Sequence, residues 1–281
     1  MEIGISTGLF YHKDIFPCLD KFARAGFQNI EIWAGAGDWG KNTHFDYNDE
    51  DVLVKIKTMA SLKKMNICSV NAPFSGNLDI SSVDEIQRSI AVSEIKKAVV
   101  LCEFFKAGYL VVHPAVKALP LTDRAFVEKK ISQVKKSLAD ILDNAMLHGV
   151  KIACENPSPN LLGGWAQDLM EIIKDFPKEH MGICLDTGHA NLIEPPDQYL
   201  EKMAPRLMAL HVSDNSGDYS SHLPPGDGKI DWKKFAAALH KCGFKGVFML
   251  EILGAARFSD PAQVLKKAFD NASEIVRKGD M

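Results

Sequence analysis

The chain alternates short apolar runs with longer amphipathic stretches. The runs are rich in Val, Ile and Leu and recur roughly every 35 residues, the pace of a repeating βα unit. Because each run is apolar almost without a break, it is typical of a parallel strand that is covered on both faces. Eight runs fit this description: Ile3–Ser6, Ile30–Trp33, Ile67–Asn71, Leu110–His113, Ile152–Glu155, Gly182–Asp186, Met208–His211 and Val247–Glu251.

The stretches between the runs have the apolar spacing of surface helices. We expect Gly26, Gly108, Gly149 and Gly243 to provide left-handed caps before the next strand. No linker or change of composition divides the chain, and no Gly-x-Gly-x-x-Gly follows the first run, which argues against a Rossmann-type fold. The pattern predicts one (β/α)₈ TIM barrel of class α/β, a single domain over residues 1–281. The predicted helices include Ile15–Ala25, Val52–Lys64, Ile86–Phe105, Phe126–His148 and Trp232–Lys241.

Composition limits which binding partners and which cellular location we expect. The net charge is −3 over 281 residues, so we expect no nucleic-acid partner. The sequence has neither a signal-peptide pattern nor an apolar stretch long enough for a membrane span, so we expect no membrane association and a cytoplasmic location. The six cysteines form no Cys-x-x-Cys pair and are expected to be free thiols. The sequence does not predict the oligomeric state, and a homo-oligomer is compatible with it.

Metal-capable side chains close four consecutive predicted strands. Glu155, Asp186 and His211 end strands five to seven, and Glu251 ends strand eight. In a barrel of this kind the chemistry lies where strands end and βα loops begin. Three carboxylates meeting there without compensation would repel one another, and a divalent cation would neutralise them. Two glutamates, an aspartate and a histidine suit Mn²⁺, Co²⁺, Mg²⁺ or Zn²⁺, so we predict one divalent metal ion.

Several motifs around these residues resemble a known family. The sequence is similar to the xylose isomerase-like TIM barrels, a group of sugar and sugar phosphate isomerases and epimerases related to endonuclease IV. The resemblance spans essentially the whole barrel. It implies that Glu155, Asp186, His211 and Glu251 bind the metal, that both glutamates also act as acid and base, and that His189 lies near substrate oxygens. The matching segments are Glu155-Asn156, Asp186–His189, His211–Asp214, His222–Trp232 and Glu251, with Asp231 as the expected N-cap before Trp232.

The chemistry is consistent without the resemblance. A metal that chelates a ketone oxygen and the neighbouring hydroxyl acidifies the C–H bond between them. One glutamate can remove that proton to give a metal-stabilised enediolate, and a group across the site can return it. We therefore expect an isomerase or epimerase that acts on a small carbohydrate, phosphorylated or not. The residues expected to contact the substrate are His189, His113, Asn71, Trp33, His222 and Asp214, with Phe10, Phe74 and Trp165 as further candidates for an apolar wall.

Three other functions are compatible with parts of the pattern. A dehydratase acting on a keto-sugar or an inosose would share the enolisation step and then expel a hydroxyl. An apurinic-site endonuclease would need a histidine at Asn71 and an aspartate at Ser220, so it is less favoured. A metal-free binding protein is the third. A second, weaker metal position at His189 and His222 is conceivable, although hydrogen bonding to substrate is the simpler interpretation.

Substrate selectivity is expected to lie in two loops, Ala34–Tyr47 and Ser75–Asp84. Lys41, Lys117 and Arg257 are candidates for binding a phosphate, although solvated surface cations are the commoner case.

Overall fold

Eight parallel strands close into a barrel. A computed structural model describes residues 1–34, 44–118, 123–253, 258 and 260–279. The strands are hydrogen-bonded in the order β7-β6-β5-β4-β3-β2-β1-β8. A bridge between Val212 and Leu250 joins β7 to β8 just beyond the end of β7. The strands are β1 Ile3–Ser6, β2 Asn29–Trp33, β3 Asn66–Asn71, β4 Tyr109–Val112, β5 Lys151–Glu155, β6 Met181–Asp186, β7 Leu207–His211 and β8 Phe248–Leu250.

Helices follow the strands and cover the outside of the barrel. The bounds of α1 and α8 coincide with the predicted ones, and the other predicted helices differ by one or two residues at an end. The predicted (β/α)₈ barrel is therefore confirmed. The helices are α1 Ile15–Ala25, α2 Glu50–Leu62, α3 Glu85–Phe105, α4 Arg124–Leu147, α5 Ala166–Ile173, α6 Thr187–Ala190, α7 Pro196–Met203, α8 Trp232–Lys241 and α9 Pro261–Gly279.

Aspartates start most of the long helices. Each N-cap carboxylate accepts a backbone N–H from the first turn, which satisfies a donor that has no partner inside the helix. Asp231 was predicted from the sequence, and its side chain accepts from the Lys234 N–H at 3.1 Å. The other aspartate caps are Asp14 for α1, Asp49 for α2, Asp84 for α3 and Asp123 for α4.

The glycine caps were predicted correctly at three positions and wrongly at one. Gly26, Gly149 and Gly243 have φ of 104°, 66° and 73°, in the left-handed region. After α3 the left-handed residue is Lys106, with φ of 60°. Gly108 instead directly precedes β4, and its N–H donates to the Cys68 carbonyl at 2.9 Å.

A layer of small side chains fills the barrel below its open end. Val111, Ala153, Cys184 and Ala209 form a buried cluster of their own, separate from the large core between strands and helices. Because side chains alternate along a strand, the residues two positions further on face the same interior at the mouth. In β5, β6 and β7 these residues are Glu155, Asp186 and His211. The fold therefore brings three of the predicted ligands to one level.

Two further expectations concern cysteines and membranes. All six cysteines are free, four of them buried and two half-buried, as predicted. Within the described parts of the chain, the helices are too short or too polar to cross a membrane.

Candidate metal centre and active-site cavity

Four buried side chains converge at the carboxyl ends of the strands. Glu155, Asp186 and His211 are the last residues of β5, β6 and β7, and Glu251 directly follows β8. Each offers one ligand atom, and these atoms all lie within 4.8 Å of one another. The His211 Nδ1 atom lies 3.1 Å from Glu155 Oε2 and 3.5 Å from Glu251 Oε2. We call this set the ligand quartet.

Four polar atoms of the ligand quartet are buried without a hydrogen-bond partner. Among the described residues, both carboxylate oxygens of Glu155, Asp186 Oδ2 and His211 Nδ1 are buried and unpaired. Burying such groups without a partner costs several kcal/mol for each charge. A divalent cation would satisfy all of these atoms at once, so the residues present fit such an ion by donor type, burial and mutual distance.

Burial and mutual charge shift the protonation of the quartet. Burial raises the pKa of Glu251 to about 7, since the opposing charge of His211 only partly offsets it. Burial also raises the pKa of Glu155. Burial alone would lower the pKa of His211, but Cys184 and the surrounding carboxylates raise it well above the ordinary value. By contrast, the neighbouring histidines and the His189 N–H bring the pKa of Asp186 below the ordinary value despite its burial.

Asn156 contacts two site residues, Asp186 and His189, at hydrogen-bond distance. Its side chain donates to the Asp186 carbonyl at 3.1 Å and accepts from the Asp186 N–H at 2.7 Å. Its backbone carbonyl lies 3.0 Å from His189 Nδ1. Both Asp186 and His189 are thus fixed by one residue that directly follows Glu155.

His189 and His222 lie edge to face at the rim of the quartet, with ring centroids 5.3 Å apart. The Nδ1 atom of His222 lies 3.0 Å from the Glu251 carbonyl, and its backbone has the uncommon φ of 43°. The clusters of metal-capable side chains found among the described residues contain neither histidine. The predicted second metal position therefore has no support beyond the proximity of the two rings.

Two members of the quartet, Glu155 and Glu251, line a cavity of about 710 Å³. Glu155, Glu251, His189, His222 and His113 contribute to a polar face. Trp33 and Phe74 meet edge to face at 5.9 Å, and Phe74 lies over His113 at 4.2 Å. The largest apolar and aromatic side chains in the lining are Tyr11, Trp33, Phe74, Val116, Leu161 and Leu253.

Most predicted substrate contacts lie at this cavity. Burial lowers the pKa of His113 to about 3, so its ring is neutral, and its Nε2 atom lies 3.3 Å from Glu155 Oε2. Asn71 donates to Glu251 Oε1 at 3.4 Å. Of the predicted wall, Phe10 packs on Phe22 in the core and Trp165 is 43% exposed. The cavity lining includes neither of them.

Asp214 has a different environment from the one predicted. It is fully buried, and its carboxylate accepts hydrogen bonds from the N–H groups of Gly226 and Ile230 and from Trp232 Nε1. These bonds hold the loop between β7 and α8, including the segment that carries His222. The structure therefore assigns Asp214 to loop anchoring, and we do not retain it as a substrate contact.

The candidate phosphate cations are not part of the described lining. Lys41 and Arg257 lie outside the described residues, as does much of the Ala34–Tyr47 loop. Lys117 is exposed and does not line the cavity. From the other predicted selectivity loop, Ser75 and Gly76 line it.

Glu31, a residue with no role predicted from the sequence, contacts the quartet through His211. Glu31 Oε2 lies 3.1 Å from His211 Nε2 and accepts from Ser69 Oγ at 2.8 Å. Burial would raise its pKa, but His211 and the hydroxyls of Ser69 and Ser6 bring it below the ordinary value. A carboxylate inside the otherwise apolar strand Asn29–Trp33 was the available signal.

Comparison with known proteins agrees with this geometry. The model of the xylose isomerase-like TIM barrel family matches residues 19–273. The chain belongs to this family. A solved structure of a D-tagatose 3-epimerase-like protein superimposes with a TM-score of 0.84 over 100% of both chains, at 26% identity.

Two curated relatives are similar to this chain over most of its length. An uncharacterised protein of Methanocaldococcus jannaschii is 26% identical over 98% of this chain and 92% of its own length. Fructoselysine 3-epimerase of Shigella flexneri is 24% identical over 90% of each chain. Sugar epimerases thus occur both among the relatives and among the structural neighbours.

Proposed function

We propose that the protein is a divalent-metal-dependent sugar epimerase or isomerase in which Glu155 and Glu251 transfer the proton. The observation that carries the proposal is the convergence of two glutamates from β5 and β8 on one end of a cavity that both of them line. The epimerase names of the solved neighbour and of the Shigella relative support the same class of reaction.

The ligand quartet would hold the cation. When bound, a divalent ion polarises the substrate carbonyl and makes the neighbouring C–H bond more acidic. The mixed oxygen and nitrogen set is compatible with Mn²⁺, Co²⁺, Mg²⁺ or Zn²⁺.

The two glutamates divide the proton transfer between them. One carboxylate takes the proton from the carbon next to the carbonyl, which leaves an enediolate. The other, in its protonated form, returns a proton to the opposite face and so inverts the carbon. Burial raises the pKa of both carboxyl groups, to about 7 for Glu251, which favours the protonated form that the acid role needs. Epimerisation fits this arrangement better than transfer on a single face.

Histidines at the rim would orient the substrate. The Nδ1 atoms of His189 and His222 lie 3.0 Å from the backbone carbonyls of Asn156 and Glu251, which fixes both rings. Their other ring nitrogens remain available for substrate hydroxyls. His113, held neutral by burial, completes the polar face beside Glu155.

Two details argue against the nuclease alternative. Asn71 donates to Glu251 instead of supplying a metal-binding ring nitrogen. Ser220 lines the cavity where a third metal would need an aspartate. The dehydratase alternative needs an additional acid, and Asp214 is unsuited to that role because its carboxylate anchors a loop.

A solvent-exchange assay tests the proposal. Keto-sugars, sugar phosphates and inososes are incubated with the protein and Mn²⁺ in D₂O, and the products are analysed by NMR. We expect one ketose to yield its epimer with deuterium at the inverted carbon. An epimer formed without solvent deuterium would indicate hydride transfer, and loss of a hydroxyl would indicate a dehydratase.

A further inference from the structure

We propose that Glu31 is a positioning residue that makes His211 a metal ligand through its Nδ1 atom. The proposal rests on the proposed metal-dependent function. It assigns a role to a buried carboxylate that does not line the cavity and is not a member of the ligand quartet.

The two nitrogens of His211 face different carboxylates. Nε2 lies 3.1 Å from Glu31 Oε2, whereas Nδ1 lies 3.1 Å from Glu155 Oε2. A neutral imidazole carries one proton, and a cation can bind only the nitrogen without it. Because Glu31 accepts a hydrogen bond from Nε2, it favours the tautomer that leaves Nδ1 free for the cation.

The sheet is locally adjusted on both sides of this contact. Between β2 and β3 the register shifts after Ile30, so that Glu31 pairs with Ser69. Ser69 Oγ then donates to the same Glu31 oxygen that His211 contacts. Between β6 and β7 the register shifts after Ile183, and His211 comes to pair with Asp186. Irregularities of this kind re-aim side chains and are common next to active sites.

The barrel interior leaves room for Glu31 to reach across. Glu31 is on β2 and His211 on β7, two strands that are not neighbours in the sheet, yet their side chains meet at hydrogen-bond distance. The buried interior cluster consists of the small residues Val111, Ala153, Cys184 and Ala209. Unlike the equally buried Glu155, Glu31 is not in the cavity lining, so its contact with the site is made through His211.

The test measures metal affinity, which does not depend on turnover. Metal-stripped wild-type protein and the Glu31→Gln variant are titrated with Mn²⁺ by calorimetry or against a competing chelator. We expect Glu31→Gln to weaken Mn²⁺ binding by about 10- to 100-fold, the usual effect of losing a carboxylate behind a ligating histidine. At saturating Mn²⁺ most of the kcat should return, because the residues that contact the substrate are unchanged.

A matched control separates positioning from general stability. Asp79 is also a buried carboxylate, but it pairs with Lys130 at 2.8 Å, outside the ligand quartet. Asp79→Asn should lower the Tm while leaving the Mn²⁺ affinity within about twofold of wild type. If Glu31→Gln fails to fold, Ser69→Ala replaces it and should weaken Mn²⁺ binding by at least about threefold, because it releases the Glu31 carboxylate.

The outcomes distinguish this proposal from the proposed function. Wild-type protein that binds no divalent ion would overturn the metal-dependent function. Wild-type protein that binds Mn²⁺, together with a Glu31→Gln or Ser69→Ala variant of unchanged affinity, would overturn only the role of Glu31. In Zn²⁺-loaded protein, ¹⁵N NMR should further show the proton of His211 on Nε2. A proton on Nδ1 would contradict the assignment.

Discussion

The two sides of the barrel mouth differ in the backbone that carries their side chains, strand ends on one side and mainly loop segments on the other. On the side of β5 to β8, the ligand quartet consists of strand-end residues with almost no exposed surface. On the side of β1 to β3, the aromatic side chains of Tyr11, Trp33 and Phe74 close the cavity. Two of these three follow a strand in loop segments. Under the proposed function, this contrast would place proton transfer on the strand ends and substrate selection on the aromatic side.

The difference has a cause in the sheet. Adjacent parallel strands fix the relative height of their last residues, so the pairing of Asp186 with His211 is set by backbone hydrogen bonds. Phe74 has no such partner and depends on ring contacts with Trp33 and His113. Changes on the strand-end side should therefore affect turnover, and changes on the aromatic side should affect substrate affinity.

The largest effect is expected from the two glutamates. Glu155→Gln and Glu251→Gln should each lower kcat by at least about a thousandfold, because each removes a proton-transfer group and a charged metal ligand. Steady-state kinetics on the active ketose measure the loss, and circular dichroism checks the fold. Glu179→Gln, an exposed change before β6, is the matched control and should leave kcat unchanged. Near-normal turnover in either glutamate variant would contradict the two-glutamate mechanism.

Replacing Asp214 tests whether a buried carboxylate near the ligand quartet can have a purely structural role. Asp214→Ala leaves the Gly226 and Ile230 N–H groups and Trp232 Nε1 without their acceptor, at about 1–3 kcal/mol each. We expect the Tm to fall on the order of 10 °C, measured by calorimetry, while one Mn²⁺ still binds per chain. An unchanged Tm with abolished activity would instead return Asp214 to the substrate contacts.

Phe74 tests the aromatic side. Phe74→Ala removes an apolar surface from the cavity, which corresponds to about 1.4 kcal/mol of substrate binding and a tenfold rise in KM. The kcat should change by less than about threefold, because the ligand quartet is untouched. Phe16→Ala, on the outer helix α1, provides a comparison and should leave KM unchanged. A fall in kcat with constant KM would mean that the two sides are not separable.

The pH dependence of the Tm tests the raised pKa of Glu251 in the ligand quartet. In metal-free protein the pKa of Glu251 is raised by burial from 4.5 to about 7. The folded state therefore binds this proton more tightly than the unfolded state, and the associated stability is lost as pH rises from about 4.5 through 7. Glu251→Gln should match the wild-type Tm at pH 4 and exceed it by a few degrees at pH 8. A constant difference across this range would contradict the raised pKa.

Much of the fold followed from the sequence because periodicity reports burial directly. The apolar runs located all eight strands to within one residue at either end, and helical spacing located α1 and α8 with their observed bounds. The convergence of the four quartet side chains followed as well, because the end of a strand and its metal-capable residue are both visible in the sequence. That these side chains bind a metal stays a prediction.

Features that depend on register and loop conformation did not follow. The contact between Glu31 and His211 joins two strands that are not neighbours, and each of the two strands has a register shift with a neighbour. Local spacing in the sequence reports neither feature. Asp214 was misjudged because its partners lie 12 to 18 residues further along a loop. Gly108 was misjudged because Lys106 reached the left-handed conformation first. That the chain forms a single domain over residues 1–281 stays a prediction.

The most direct test of the central claim is a metal titration of the ligand quartet. Metal-stripped wild-type protein and the Asp186→Asn variant are titrated with Mn²⁺, and the bound metal is counted by elemental analysis. We predict one ion per wild-type chain and binding at least about a hundredfold weaker in Asp186→Asn. A wild-type chain that binds none of Mn²⁺, Co²⁺, Mg²⁺ or Zn²⁺, or a variant with undiminished affinity, would contradict the account.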